Sequence, residues 1–263
     1  MPPKNEPYII YGRRPVQEFL RKVDGPEDVE IAYISESIAV SLRREISEII
    51  PKNLQKAIPR KSIDKMFPNI NHQGIVIRLR KSYSIKKNFD HRDWKSLIQA
   101  ETGLIVLLDR IQDPFNTGNI IRTAEALGAV GVIITGRGAS PGPTVDRASA
   151  GATMNIHHFQ FQNADIVIDF AKSCGYWICS SAAMQDLDES MISDQQLHLL
   201  STDLSVLPET EHILLVIGNE GGGIKDLILK KTDYFISIPL SGETSSLNAG
   251  TAAGILLDRI INR

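Results

Sequence analysis

Five uninterrupted apolar runs in the second half of the chain restrict its fold more than any other feature. They are Leu104-Ile105-Val106-Leu107-Leu108, Val130 to Ile134, Tyr176 to Cys179, Ile213 to Ile217 and Tyr234 to Ile238. A strand with one solvated face alternates apolar and polar residues, so a run without alternation belongs to a strand buried on both faces. Helical stretches fall between them, at Asn119 to Leu127, Ala164 to Ser173, Ile224 to Lys231 and Leu247 to Ile261. Strands alternating with helices of this length make an α/β domain, a mainly parallel sheet with helices on both faces. Ligands of such sheets bind at loops beyond the carboxyl ends of the strands. The polar and Gly-rich segments stand there: 109–119 after the first run, 218–223 after the fourth and 239–248 after the fifth.

The first 80 residues form a smaller α/β pattern. Arg14 to Leu20 reads as a helix with Pro15 near its start, where the missing N–H costs nothing. Val29 to Ile34 and Gly74 to Leu79 read as strands, and Ile38 to Ile50 carries a helical period. Between 81 and 100 the apolar pattern weakens and Lys81, Lys86, Lys87, Arg92 and Lys95 cluster, a basic linker with a short helix around Trp94. The expected organisation is a domain over 1–80, a linker over 81–100 and a second domain over 101–263.

Net charge conceals an asymmetry. Residues 1 to 100 hold 19 Lys and Arg against 12 Asp and Glu, a balance of +7 within a chain whose total is −2. A basic leading half in front of an acidic one suits a polyanionic partner met first by the N-terminal part. Neither cysteine, Cys174 or Cys179, has a metal-ligand spacing, and two reduced thiols in a core are expected. No apolar run approaches the ~18 residues of a bilayer span, and the N-terminus lacks a secretory pattern. A cytoplasmic protein with no membrane partner and no metal is the expectation.

The loops carry the chemistry. Asp109-Arg110-Ile111-Gln112-Asp113-Pro114-Phe115-Asn116-Thr117-Gly118-Asn119-Ile120-Ile121-Arg122-Thr123 holds turn formers and then Arg122 among apolar residues. With the helix read from Asn119, that arginine stands at the positive end of the dipole, a broken local rule that suggests an anion site for phosphate. Gly218-Asn219-Glu220-Gly221-Gly222-Gly223 permits close approach of a ligand to backbone. It is not the G-x-G-x-x-G of dinucleotide folds and has no P-loop lysine. Glu220 reads equally well as a carboxylate at a helix N-terminus. Ile238-Pro239-Leu240-Ser241-Gly242-Glu243-Thr244-Ser245-Ser246-Leu247-Asn248 runs into an Ala/Gly-rich helix whose first turns pack close to a ligand, the sheet or a partner helix. Ser246 or Asn248 also reads as a simple N-cap.

Within these segments Asp113 to Thr123, Ile217 to Gly223 and Ile238 to Asn248 match, in order, the three motifs of the SpoU/TrmH methyltransferases of the SPOUT superfamily, and Arg147-Ala148-Ser149-Ala150-Gly151-Ala152 resembles a further family segment. The likeness extends over residues 104 to 262. Tyr11-Gly12-Arg13-Arg14-Pro15-Val16 and His72-Gln73-Gly74 are similar, more loosely, to the ribosomal-protein-like substrate-binding domain of the members that act on ribosomal RNA. The resemblance implies a deep trefoil knot, which sequence physics alone would never propose. It also implies an enzyme that transfers a methyl group from S-adenosylmethionine to a ribose 2′-hydroxyl of RNA. Of the RNAs it favours ribosomal over transfer RNA, with a guanosine of the large-subunit RNA as target. It implies a homodimer through the C-terminal domain. By the same analogy, backbone at Gly218, Ile238 and Leu247 holds the cofactor's adenosine, and Asn116, Arg122, Glu220, Ser246 and Asn248 form the catalytic constellation. Ala249-Gly250 depart from the Val-Ser of many members.

A guanidinium gives up its proton only with great difficulty, so Arg122 fits a phosphate clamp and alkoxide stabiliser better than a base. Asn116, Ser246 and Asn248 would orient loops and the hydroxyl, and Glu220 the cofactor or the arginine. Two other readings compete: a non-catalytic RNA-binding or ribosome-assembly protein on the same fold, against which the five intact residues argue, and a dehydrogenase, whose fingerprint is missing.

Overall fold

The computed structural model describes residues 8–23, 25–80, 93–100, 102–182, 200–201, 207, 212–219, 221–243 and 246–262. The chain folds into two compact units, Met1–Phe89 with Pro141–Asn155, and Asp90–Ser140 with Ile156–Arg263.

In the first unit β1 (Ile9–Tyr11), α1 (Arg13–Lys22), β2 (Val29–Ser35), α2 (Val40–Ile49), β3 (Gln55–Ile58), α3 (Arg60–Met66) and β4 (Ile75–Leu79) follow in order. The sheet runs β1-β4-β2-β3, antiparallel except for the parallel β2–β3 pair. Val16, Phe19 and Leu20 lie on one side of α1 at the i, i+3, i+4 spacing of a buried face. They pack with Leu42 and Ile46 of α2 against Ile10, Ile75 and Ile77 of the sheet. The edge strand β3 and helix α3 carry too few apolar residues to stand out in the sequence.

The second unit begins with α4 (Asp93–Ala100) and β5 (Leu104–Asp109) and continues with α5 (Pro114–Ala126) and β6 (Gly131–Thr135). Next in the chain comes α6 (Pro143–Ala148), which belongs to the first unit. Then come β7 (His157–Phe161), α7 (Ala164–Ser173), β8 (Trp177–Ser181), β9 (Leu200–Ser201), β10 (Ile213–Ile217), α8 (Asp226–Leu229), β11 (Tyr234–Ile236) and α9 (Ala249–Ile261). Seven strands pair in the order β7-β6-β5-β10-β8-β11-β9, and every pair is parallel. The continuous runs are the central strands: every residue of β5, β6 and β10 is buried. Strand β7 escaped the sequence reading because His157, His158 and Gln160 interrupt its apolar pattern.

Two boundaries moved for physical reasons. Helix α5 starts five residues before the Asn119 read from periodicity, because Asp113 caps it by accepting from the Phe115 N–H at 3.0 Å and Pro114 occupies its first position. Helix α8 is half the length expected, four residues. Helix α4 falls at the expected Trp94. Residues 81–92, which hold most of the basic linker, lie outside the described residues.

Pro141–Asn155 joins the first unit through polar contacts as well as apolar ones. The Tyr8 hydroxyl donates to the Asp146 carboxylate, whose other oxygen accepts from Thr153 Oγ1 at 2.7 Å. The Arg147 guanidinium lies over the Tyr11 ring, 5.7 Å from its centroid. Among the described residues no helix is long and apolar enough to cross a membrane.

Trp94 is 1% exposed and meets Phe161 at 5.1 Å and Phe170 at 5.4 Å between ring centroids. Trp94→Ala is expected to cost about 3–5 kcal/mol in a denaturant titration, the usual loss for a buried aromatic and the cavity it leaves. A loss below about 1 kcal/mol would show that α4 is not part of that core.

Candidate active site

The sequence motifs meet where α9 returns to α5. Asn116 is the third residue of α5, 7% exposed. Its Oδ1 accepts from Asn248 Nδ2 at 2.9 Å, across 132 residues of sequence. Asn248 is also the N-cap of α9, its Oδ1 accepting from the N–H of Gly250 at 2.9 Å and of Thr251 at 3.4 Å. One amide therefore starts the last helix and ties it to α5, so the cap reading and the site reading of Asn248 are both correct. Close packing makes the bridge reachable. A Cβ added to Gly250 would come within 3.4 Å of Asn119 Cβ, and one at Gly254 within 3.6 Å of Thr123 Cγ2. The small residues that suggested a partner helix thus pack within the chain, with Ala249 and Ala253 buried.

Arg122 is the ninth residue of α5, not a residue of its first turn. The dipole argument for an anion site fails with that boundary. What the structure offers instead is exposure: Arg122 is solvent-accessible and pairs with no carboxylate among the described residues. It lies about 9 Å along the axis from Asn116 at 1.5 Å per residue, on the flank of the face packed against α9.

The loop after β10 is organised by Asn219, a residue the sequence reading passed over. Its backbone pairs with Gly223 in both directions, at 3.1 and 2.9 Å. Its Oδ1 accepts from the N–H groups of Gly221 at 2.9 Å and Gly222 at 3.2 Å, and its Nδ2 donates to the Arg110 carbonyl at 3.0 Å. Asn followed by glycines is an Asx-turn signal, so the information was present. Gly218 is required here by contact, since a Cβ would lie 2.7 Å from the Gly223 carbonyl carbon. Glu220 lies outside the described residues.

Ile238 and Leu247 are half-buried, and Ser246 is exposed. Among the described residues none bonds to the backbone N–H or C=O of Ile238 or Leu247. Half-buried amides need a partner, which solvent or a ligand can supply. Gly221 and Gly222 add open space: a Cβ at Gly222 would meet nothing within 4 Å, and one at Gly221 only the Asn219 Oδ1 at 3.5 Å. Backbone donors and acceptors left to solvent or a ligand, and glycines without a side chain in the way, fit an adenosine.

Residues 103–258 match the model of the SpoU rRNA methylase family. The chain belongs to that family. Residues 9–84 match the RNA 2′-O ribose methyltransferase substrate-binding domain. A Borreliella burgdorferi protein named an uncharacterized tRNA/rRNA methyltransferase is 32% identical over 204 residues, 75% of this chain and 82% of its own. A Staphylococcus haemolyticus protein, named for the TrmH family of tRNA/rRNA methyltransferases, is 30% identical over 98% of this chain and 96% of its own. Among solved structures, the SpoU methyltransferase AviRb of Streptomyces viridochromogenes, in complex with AdoMet, superposes with a TM-score of 0.72. It is 24% identical and covers 97% of this chain and 89% of its own. The fold is that of the SpoU methyltransferases.

The bridge and the cap can be separated. Asn248→Ser keeps a capping oxygen but is too short to reach Asn116 as well. It is expected to leave the melting temperature nearly unchanged and to slow methyl transfer ~10-fold or more through misplacement of α9. Asn248→Ala should in addition cost about 0.5–2 kcal/mol of stability. Full activity in the serine variant would remove the bridge from the site.

Proposed function

We propose that this enzyme methylates a ribose 2′-hydroxyl in ribosomal RNA, with a guanosine of the large-subunit RNA as the target. The coarser statement follows from its family: it is an S-adenosylmethionine-dependent RNA 2′-O-methyltransferase. The observation that carries the active-site reading is the Asn116–Asn248 bridge, with an exposed Arg122 on the flank of the same helix. The finer choice of ribosomal RNA rests on the N-terminal domain and its excess of positive charge.

Bound S-adenosylmethionine supplies an electrophilic methyl group. Backbone at Gly218, Ile238 and Leu247 would hold its adenosine. The chain's own task is to bring a very weak acid, the ribose hydroxyl, into line and to stabilise the charge it develops. Positioning supplies several kcal/mol of such a barrier. Arg122, permanently cationic, clamps a neighbouring phosphate and stabilises the alkoxide. Asn116 and Asn248 fix the meeting of α5 and α9. Ser246 orients the hydroxyl, and Glu220 the cofactor or the arginine.

The same proposal assigns RNA reading to residues 1–80, tethering to 81–100 and methyl transfer to 101–263, in the cytoplasm. It includes the knot. Strand β11 lies three places from β5 in the sheet, yet α9, the next element in the chain, packs on α5. It also includes a homodimer through the C-terminal domain, supported by Phe115, 62% exposed beside Asn116. A monomeric mass by light scattering at micromolar concentration would count against the dimer.

Mapping 2′-O-methyl sites in ribosomal and transfer RNA, from cells with and without the gene, tests the target. A lost site in transfer RNA alone would overturn the ribosomal choice. Arg122→Ala should cut single-turnover methyl transfer by ~10²–10³ with cofactor affinity and melting temperature nearly unchanged. Arg122→Lys should also be poor, because an ammonium lacks the planar fork of donors. Parallel losses of stability, cofactor binding and rate would make Arg122 structural.

A further inference from the structure

We propose that Asp109 and Arg110 form a latch that sets affinity for S-adenosylmethionine by fixing the backbone at Asn219, Gly223 and Lys225. Neither residue is among the five motif positions, and Arg110 touches no reacting atom; it is a positioning residue.

Asp109 ends β5 with its carboxylate 1% exposed. Its Oδ2 accepts from Arg110 Nε at 3.1 Å and Nη2 at 3.0 Å, and from the Lys225 N–H at 3.3 Å. No described residue donates to Oδ1. A buried carboxylate is costly unless paired and hydrogen-bonded, so its partners are held firmly in place. The pairing requires an unusual backbone. Arg110 has φ of 59°, in the left-handed region where a non-Gly side chain is strained. That conformation turns the side chain back onto its own neighbour and along the following loop. Gly136 makes the room, since a Cβ there would lie 2.9 Å from Arg110 Cγ.

From this position Arg110 reaches the loop after β10 twice. Its Nη2 donates to the Gly223 carbonyl at 3.2 Å, and its own carbonyl accepts from Asn219 Nδ2 at 3.0 Å. Together with the Asp109–Lys225 contact, these hydrogen bonds hold residues 219, 223 and 225 to the end of β5. The far side of the latch is residues 111–113, which lead directly into α5, Asn116 and Arg122. The glycines of 221–223 have no side chains with which to order themselves, and flexible backbone lowers affinity for whatever it must grip. Strain kept at Arg110 is explained if its purpose is to preorganise that loop.

The inference rests on the reading of this loop as part of the cofactor site, and the experiment separates the two. S-adenosylmethionine binding is measured by calorimetry on the full chain, RNA binding on total ribosomal RNA, and local order by hydrogen exchange. Arg110→Ala, at a side chain 29% exposed, is expected to weaken S-adenosylmethionine binding ~10-fold or more. It should accelerate exchange at Gly221–Gly223 and leave RNA affinity near wild type, while the melting temperature falls because the buried Asp109 carboxylate loses its cationic partner. Arg110→Lys, which keeps one cationic donor, should recover part of the affinity. Asp109→Asn should resemble Arg110→Ala; if it fails to fold, the arginine variants still decide. Unchanged cofactor affinity in Arg110→Ala overturns the latch alone. Joint loss of cofactor binding and RNA binding also overturns it, by making the pair a general stability element. Wild-type protein that takes up no S-adenosylmethionine overturns the cofactor reading and the latch with it.

Discussion

Helices α5 and α9 meet at van der Waals distance, and Gly250 has little room to spare. An added Cβ at Gly250 would sit 3.1 Å from Asn248 Oδ1 and 3.4 Å from Asn119 Cβ. The consequence spreads outward. Because the helices approach this closely, one short amide can cap α9 and still reach Asn116. Because Asn116 is fixed early in α5, Arg122 is fixed further along the same helix. The start of α9 in turn places Leu247 and Ser246 beside the loop after β11. A larger residue at 250 would press on Asn248 and Asn119, and overpacking of that kind commonly costs about 1–3 kcal/mol.

The sheet was legible in the sequence because its central strands are buried on both faces, and burial of that kind leaves an unbroken apolar run. Ile213–Ile217 was read to the residue. Edge and irregular elements were not, for the converse reason. Strand β7 mixes two histidines and a glutamine with its phenylalanines, and β3 exposes half its residues. Helix α5 shows how a periodicity reading misplaces a boundary: the Asp-Pro pair at 113–114 is itself the start signal, but its polar sequel Asn-Thr-Gly-Asn looks like loop. That error generated the dipole argument for Arg122, which the structure withdraws while leaving the arginine exposed.

The candidate site was legible in part, and the division follows chain length. Asn116 and Asn248 could be named separately from their motifs, yet the bond between them spans 132 residues, and no local pattern encodes it. The roles of Asp109, Arg110 and Asn219 were hidden for another reason. Each looks like an ordinary loop residue until the left-handed backbone of Arg110 is known, since only that conformation aims its side chain at Gly223. Similarly, Arg147 reads as part of the second half of the chain, whereas its guanidinium lies on Tyr11 of the first unit.

The sequence separation of the Asn116–Asn248 bridge also bears on how the protein is made. At about 5–20 residues per second, a ribosome adds Asn248 roughly 7–26 s after Asn116. By the end of that interval the first unit's strands and the parallel sheet have been synthesised, while α5 still waits for its partner. A contact between such distant residues forms late, after the loop between its ends has been closed. Chains interrupted anywhere between β11 and residue 248 would carry the basic N-terminal half and the whole sheet but no bridge. The bridge, and whatever depends on it, is therefore acquired only once residue 248 has been added.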